Sequence, residues 1–108
     1  MATLAVQAVL QSGIVPTFTA ATSGGDVFAN DGKTYLHIKN GGTGAVTVTV
    51  DSFTPCSYGF DHDIVISIPA GAERIIGTFP PNRFNNDSSM VSVSYSGVTS
   101  VTVAAFRV

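Results

Sequence analysis

The chain has 108 residues, of which 44% are apolar and only 11% are charged, and its formal net charge is −2. This length suits one domain with a modest core, and the scattered basic residues offer no cluster to neutralise the phosphates of a nucleic acid. Because an average protein is about 25% charged, the low value indicates that a partner or further copies of the chain cover part of the surface.

The N-terminus and the cysteine content bear on the cellular compartment. A single cysteine, Cys56, excludes an internal disulfide bond. No basic region follows Met1, and no apolar run approaches the roughly 20 residues of a transmembrane helix. We therefore expect a protein that makes no membrane contact, is made in a cytoplasm and stays soluble there.

Residues 1–25 form an uncharged N-terminal arm. The apolar run Leu4–Leu10 predicts a strand or an extended segment, with a helical turn as the alternative, and Thr17–Ala20 predicts a second short strand. An unpaired, apolar, β-capable terminus invites strand addition to a neighbouring chain, whereas an ordinary first strand would join the domain's own sheet. The candidate interface residues in the arm are Leu4, Val6, Val9, Leu10 and Ile14.

The segment from Asp26 to Val50 carries the clearest strand signals. Asp26–Ala29 predicts a short strand, and Asn30–Lys33 a turn. Two runs with a period of two, 34–39 and 45–52, flank the glycine-rich stretch 40–44, which predicts a β-hairpin. Within it, Val46, Val48 and Val50 point to one dry face, which must meet a second sheet.

The remainder alternates in the same way. The irregular stretch Phe53–Asp61 is expected to cross between sheets or to form an exposed functional loop, and its Tyr58 and Phe60 complete the candidate interface set. Further predicted elements are a strand at Asp63–Ile68, a tight turn at Pro69–Ala72, a strand at Glu73–Phe79, a corner with one helical turn as an option at Pro80–Asp87, and a closing hairpin of Val91–Tyr95 with Val98–Val108.

About eight or nine short strands, and no apolar stripe with a helical period, predict an all-β fold. We expect a single small antiparallel β-sandwich, either jelly-roll or Ig-like, with residues 26–108 as its core and residues 1–25 as its arm or first strands. The chain shows no internal repeat or linker, so one domain is expected overall.

Chemistry-bearing residues do not assemble into a recognisable site. Asp61, His62 and Asp63 are the one group of neighbouring residues that could bind a metal ion. In a strand, however, the two aspartates would lie on one face and His62 on the other, so the three would not meet at one ion. Cys56 has no base beside it, and no serine lies in a nucleophile elbow. We therefore predict no catalytic, cofactor-binding or metal-binding residues and no enzymatic activity.

Two sets of side chains remain as contact candidates. Tyr35, His37 and Lys39 alternate with apolar residues and should form a stripe on the outer face, either solvated or in contact with a ligand. The aromatic residues near loops are candidates for stacking on a sugar or anchoring an interface, or they plug the ends of the sandwich. These residues are Tyr58, Phe60, Phe79 and Phe84.

Three stretches carry a resemblance to a known group of proteins. Phe28–Gly42, Ile68–Phe84 and the ending Val91–Ala105 resemble small β-sandwich virion proteins of tailed bacteriophages, several of which are head-decoration, or cement, proteins. The resemblance covers roughly residues 26–108 and does not extend to the arm.

The resemblance implies a structural protein of the virion, made in the host bacterial cytoplasm and bound to the outer capsid surface. Its implied partners are the major capsid protein and further copies of itself, expected as a homotrimer that stabilises the head. The alternatives are a carbohydrate-binding sandwich displayed on a virion and a structural protein of the tail or head–tail junction, because one sandwich serves many roles.

Overall fold

The computed structural model describes residues 2–52, 63–86 and 88–108, which form ten strands and one short helix. In chain order the elements are β1 (Ala2–Leu4), β2 (Val6–Ala8), β3 (Thr19–Ala20), β4 (Asp26–Ala29), β5 (Thr34–Asn40), β6 (Val46–Val50), β7 (Ile64–Ile68), β8 (Glu73–Gly77), α1 (Pro81–Phe84), β9 (Met90–Tyr95) and β10 (Val101–Arg107).

The strands form two sheets that pack face to face. Sheet A has the order β1-β4-β9-β6-β7, and sheet B has the order β2-β10-β5-β8, with β3 also paired to β10. The all-β sandwich expected from the sequence is thus confirmed, with ten described strands in place of eight or nine. The predicted helical turn in the corner after β8 is confirmed as α1.

The core lies between the inner faces of the two sheets and follows the alternation in the sequence. Val46, Val48 and Val50 are buried, as predicted, whereas Thr47 between them is exposed. Ile68 is fully buried, while Ile64 and Ile66 on the same side of β7 are only partly covered. Other core side chains include Phe28, Leu36, Ile38, Phe79, Val91, Val93, Val101 and Val103.

Six strands pair from the outside inward along the chain, and this order bears on the choice between the jelly-roll and Ig-like topologies. β4 pairs with β9, β5 with β8 and β6 with β7, each time antiparallel. This pattern results when one long antiparallel ribbon rolls over so that successive strands alternate between sheets, as in a jelly roll. Among the described strands, the jelly-roll alternative is therefore favoured over the Ig-like one.

Both predicted hairpins are wrong. β5 lies in sheet B and β6 in sheet A, so the glycine-rich loop between them crosses the sandwich. β9 and β10 also lie in different sheets, and this second strand begins at Val101 rather than Val98. A period of two shows which side chains face the core, but not which strand lies alongside, so alternation alone does not separate a hairpin from a crossing.

The expected sheet crossing within residues 53–61 is also wrong. β6 and β7, the strands on either side of this stretch, are antiparallel neighbours in sheet A, with Val50 opposite Ile64. The alternative, an exposed functional loop, falls on residues 53–62, which lie outside the described residues. The longest connection thus joins neighbours, whereas the short turns change sheets.

The crossing turns are held by buried asparagines. Asn40 Nδ2 donates to the carbonyl oxygens of Gly44 at 2.9 Å and Ile68 at 3.0 Å, and Asn40 Oδ1 accepts from the Gly42 N–H at 3.1 Å. One side chain therefore links the β5–β6 turn to the end of β7. The neighbouring tight turn is confirmed, because the Ala72 N–H donates to the Pro69 carbonyl at 3.0 Å.

The two N-terminal strands connect the sheets along one side, because β1 belongs to sheet A and β2 to sheet B. β1 runs parallel to β4 in sheet A, and β2 runs parallel to β10 in sheet B, with only Ala5 between them. These are the parallel pairings among the described strands, which are otherwise antiparallel. The arm therefore begins as ordinary edge strands of the domain, the alternative to strand addition.

Candidate functional site

The outer face of sheet A is rich in hydroxyl groups and carries no charge across its strands. Within the described strands of this sheet, Asp26 is the only charged residue, and its side chain is buried on the inner side. Thr47 stands opposite Ser67, and Thr49 stands opposite Ser94. We call this surface the hydroxyl face; its polar side chains are Thr3, Thr47, Thr49, Ser67, Ser92 and Ser94.

Two carboxylates border the hydroxyl face at one end. Asp51 and Asp63 line a shallow hollow together with Thr49, Ser92 and Ser94. Asp63 is already engaged, because its Oδ1 accepts from the Ser52 N–H at 2.8 Å. No group of three or more His, Cys, Asp or Glu side chains that would hold a metal ion occurs in the described part of the chain.

The outer face of sheet B carries aromatic rings instead. Tyr35 stacks on Phe106 with ring centroids 5.6 Å apart, and Phe18 meets the edges of Phe106 at 6.2 Å and His37 at 5.1 Å. Lys39 Nζ lies 4.2 Å from the centre of the Phe18 ring. The predicted stripe of Tyr35, His37 and Lys39 therefore does lie on the outer face, and residues from the arm and from β10 cover part of it. We call this surface the aromatic face.

His37 is held by its neighbours in a fixed orientation. Its Nε2 lies 2.9 Å from Glu73 Oε1 on the adjacent strand, and its ring edge contacts Phe18. A histidine paired with a carboxylate is half of a hydrolytic triad, which also needs a nucleophile in reach of the other nitrogen. Among the described residues, the side-chain partners of His37 are Glu73 and Phe18. These contacts hold the imidazole ring in place against β8 and the arm.

A buried pair that the sequence did not predict closes one end of the sandwich. The Tyr95 hydroxyl donates to Asp26 Oδ2 at 2.8 Å, and the Thr22 N–H donates to the same oxygen at 3.3 Å. Asp26 Oδ1 is buried and has no hydrogen-bond partner among the described residues. Burial, then the hydrogen bond and charge of Asp26, raise the pKa of Tyr95 far above its ordinary value.

Glycine makes this buried pair sterically feasible. Gly25 has a φ of +101°, and a Cβ there would lie 2.5 Å from the carbonyl oxygen of Val93. The chain therefore approaches β9 closely just before Asp26, and Asp26 faces inward because it lies opposite the core residue Val93. The only sequence signal for the site is a lone aspartate among apolar strand residues, which by itself does not reveal its tyrosine partner.

The structure separates the predicted interface residues of the arm. Leu4 is 7% exposed and belongs to the domain's own core, so it does not offer a contact to another chain, and Val6 is packed partly against that core. Leu10 is 57% exposed, Val9 is also exposed, and Ile14 is intermediate. Tyr58 and Phe60, the other two predicted contacts, lie outside the described residues, as do Cys56, Asp61 and His62.

The aromatic residues proposed as a sugar platform are also separated. Phe79 and Phe84 are buried with ring centroids 5.7 Å apart, and Phe79 packs on Phe28 at 5.6 Å. Both rings therefore plug the sandwich, the alternative that the sequence left open. Tyr35 is half-buried against Phe106, so the described rings offer no flat exposed pair.

Comparisons with known protein families, with curated proteins and with solved structures give no match. Within the described residues, no helix has the length and apolar character needed to cross a membrane.

Proposed function

We propose that this protein is a structural virion protein of a tailed bacteriophage that binds the outer capsid surface and stabilises the head. The proposal begins from the sequence resemblance over residues 26–108. The observation that carries it is the hydroxyl face: a broad sheet surface without a charged side chain across its strands. Such a face lies flat on a neighbouring protein without leaving an unpaired charge in the contact.

The shape of the molecule supports a role on a shell. Its Cα atoms extend 38 × 36 × 20 Å, so the domain is much thinner in one direction than in the other two. The outer face of sheet B carries the charged residues Lys39 and Glu73 opposite one another, whereas the hydroxyl face has no charged side chain across its strands. A thin domain with one uncharged sheet face and one face that carries charge suits a protein that covers a shell on one side and meets water on the other.

The partners in this proposal are the major capsid protein and further copies of the chain, arranged as a homotrimer. Each single contact is expected to be modest, and repetition over a symmetric lattice supplies avidity. The carbohydrate-binding alternative has less support, because the described rings form no exposed platform. A place in the tail or at the head–tail junction would use the same faces with a different neighbour.

The test is co-sedimentation of the purified protein with empty, undecorated capsids of the phage or prophage that encodes it. We expect the wild-type chain to sediment with capsids, and Ser94→Lys to weaken binding by at least about tenfold, because it introduces a charge into the hydroxyl face. Ser88→Lys is the matched control: Ser88 is exposed but lies in the loop before β9. Equal binding by both variants, or no binding by the wild type, would contradict the proposal.

A further inference from the structure

One side of the sandwich is open at the last strand of sheet A. β7 and β8 end the two sheets, and the tight turn between them puts both edges on the same side of the molecule. No described strand pairs with the outer edge of β7. This strand contains no charged residue and no proline, the residues with which proteins usually guard an exposed edge.

The bonds between β6 and β9 show in which direction the backbone groups of β6 point. Just after β6, the Asp51 N–H donates to the Ser92 carbonyl at 2.9 Å. Within β6, the Thr47 carbonyl accepts from the Ser96 N–H at 2.9 Å. The odd-numbered residues of this strand therefore bond to β9. Because backbone groups alternate in direction along a strand, the even-numbered residues bond to β7 on the other side.

This alternation leaves two residues of β7 with outward-pointing backbone groups. Ile64, Ile66 and Ile68 stand opposite the even-numbered residues of β6, so their N–H and C=O groups bond to that strand. Val65 and Ser67 alternate with them and direct their N–H and C=O groups out of the sheet. No described residue bonds these four groups. The edge of β7 is thus suited to pairing with one more strand.

The inner side of this edge is an apolar opening between the two sheets, which we call the mouth. Ile64 and Ile66 face inward but are only half-covered. Arg74 also faces the mouth, because it stands opposite the core residue Ile38 in sheet B, and it is exposed. Its guanidinium donates to the Glu73 carbonyl at 2.7 Å and forms no ion pair within the described residues. The mouth therefore combines uncovered apolar surface with a cation.

We infer that the open edge of β7 takes an extended segment of the major capsid protein as an added strand of sheet A. Main-chain bonds to Val65 and Ser67 hold the segment, and its alternate side chains enter the mouth. The chemistry of the mouth calls for apolar side chains over Ile64 and Ile66 and an acidic side chain beside Arg74. This inference rests on the proposed function for the identity of the partner.

The charge of Arg74 favours this occupant over a second copy of the chain. Pairing of β7 with β7 of another copy about a two-fold axis would place two Arg74 side chains at one shared mouth, where like charges repel. A segment with an acidic residue supplies the missing counter-charge instead. β8, the neighbouring edge, begins with Glu73 and Arg74 and is guarded by these charges.

A proline at position 67 tests the main-chain bonds. Ser67→Pro removes an N–H that points out of the sheet, a place where an edge strand tolerates proline, so the variant should fold. We expect it to co-sediment with empty, undecorated capsids at least about tenfold more weakly than the wild type. Ser67→Ala is the matched control: it removes the hydroxyl group, keeps the N–H and should bind within about twofold of the wild type.

A charge reversal tests the mouth. Arg74→Glu should weaken capsid binding by at least about tenfold, because it places a carboxylate where the acidic side chain of the segment is expected. Lys33→Glu makes the same change in net charge in the turn between β4 and β5, away from the mouth, and should bind as the wild type does.

Hydrogen–deuterium exchange resolved to single amides locates the added strand without any substitution. In the free protein the amides of Val65 and Ser67 should exchange much faster than those of Ile64 and Ile66, which bond to β6. On capsids, the amides of Val65 and Ser67 should become protected as well.

Several outcomes would overturn strand addition and leave the proposed function standing. They are capsid binding without protection of the Val65 and Ser67 amides, protection of these amides already in the free protein, and undiminished binding by Ser67→Pro or Arg74→Glu. Absence of capsid binding by the wild type would instead contradict the proposed function, and the inference with it.

Discussion

Single buried side chains hold the turns that carry the chain between the sheets. Asn40 bonds the β5–β6 turn to the end of β7, and Asn30 acts at the other end of β5. Asn30 Nδ2 donates to the Phe79 carbonyl at 2.9 Å and to Asn85 Oδ1 at 2.7 Å, and Asn85 Nδ2 donates to the Asn30 carbonyl at 2.8 Å. Amides can do this because they donate and accept at once without adding a buried charge.

Replacement of Asn40 by alanine should therefore destabilise the fold. The side chain is 2% exposed, and its loss leaves the buried carbonyl of Ile68 without its side-chain donor. We expect Asn40→Ala to lower the free energy of unfolding by about 2–4 kcal/mol, measured by urea denaturation. Asn82→Ala is the control, since Asn82 is exposed in α1; similar losses in the two variants would show that Asn40 does not hold the turns.

The Tyr95–Asp26 pair makes stability depend on alkaline pH. The pKa of Tyr95 is raised in the folded state by burial first and by Asp26 second. Above the unfolded pKa of about 10, the unfolded chain has lost the phenolic proton while the folded chain still holds it, so unfolding becomes more favourable as pH rises. The contribution of Tyr95 is complete below about pH 10 and is lost progressively above that pH.

Comparison with Tyr95→Phe isolates this effect. Above about pH 10.5, the wild type should lose about 1.4 kcal/mol of unfolding free energy per pH unit more than Tyr95→Phe does. At neutral pH the variant should be less stable by about 1–2 kcal/mol, because the Asp26 carboxylate loses a donor. Denaturation at a series of pH values measures both; parallel curves for the two proteins would mean that Tyr95 titrates normally in the fold.

At the scale of elements, the N-terminal arm contains two parts with different roles. β1 and β2 complete the sheets along one side, and Leu4 enters the core. The loop that follows carries the exposed side chains of Val9, Leu10 and Val15. Sequence alone showed an apolar, uncharged arm but did not divide it, because an edge strand and an exposed apolar loop contain the same residue types.

A matched pair of substitutions separates these two roles. Leu4→Ala should lower the free energy of unfolding by about 2–3 kcal/mol, because it removes buried methyl groups and leaves a cavity. Leu10→Ala should change it by less than about 0.5 kcal/mol, because Leu10 is exposed in the free chain. Urea denaturation at low protein concentration measures both; equal effects would mean that β1 is not part of the core.

At the scale of the whole molecule, the absence of charge across the described strands of the hydroxyl face determines how the proposed capsid contact should respond to salt. A contact through this face involves few ion pairs, so raising the NaCl concentration should weaken capsid binding by less than about fivefold. Co-sedimentation with capsids over a series of NaCl concentrations measures this; a steep loss of binding would indicate a contact dominated by charge.

The amino-acid sequence by itself determined the fold class, most strand positions and the side of each strand that faces the core. Val46, Val48 and Val50 show why: burial requires a period of two, and that period is written directly in the order of residues. The outward position of Tyr35, His37 and Lys39 followed from the same alternation.

Only the tertiary structure decided which strands are neighbours and therefore which side chains meet. Asn40 contacts Ile68, and Tyr95 contacts Asp26, across long stretches of chain whose local pattern contains no trace of the pairing. Strand pairing likewise places the exposed Val65 on the outer face of sheet A and the exposed Ile75 on the outer face of sheet B. Alternation in the sequence shows which side chains of a strand face the core. Which strands pair with each other depends on packing, buried hydrogen bonds and the paths of the turns.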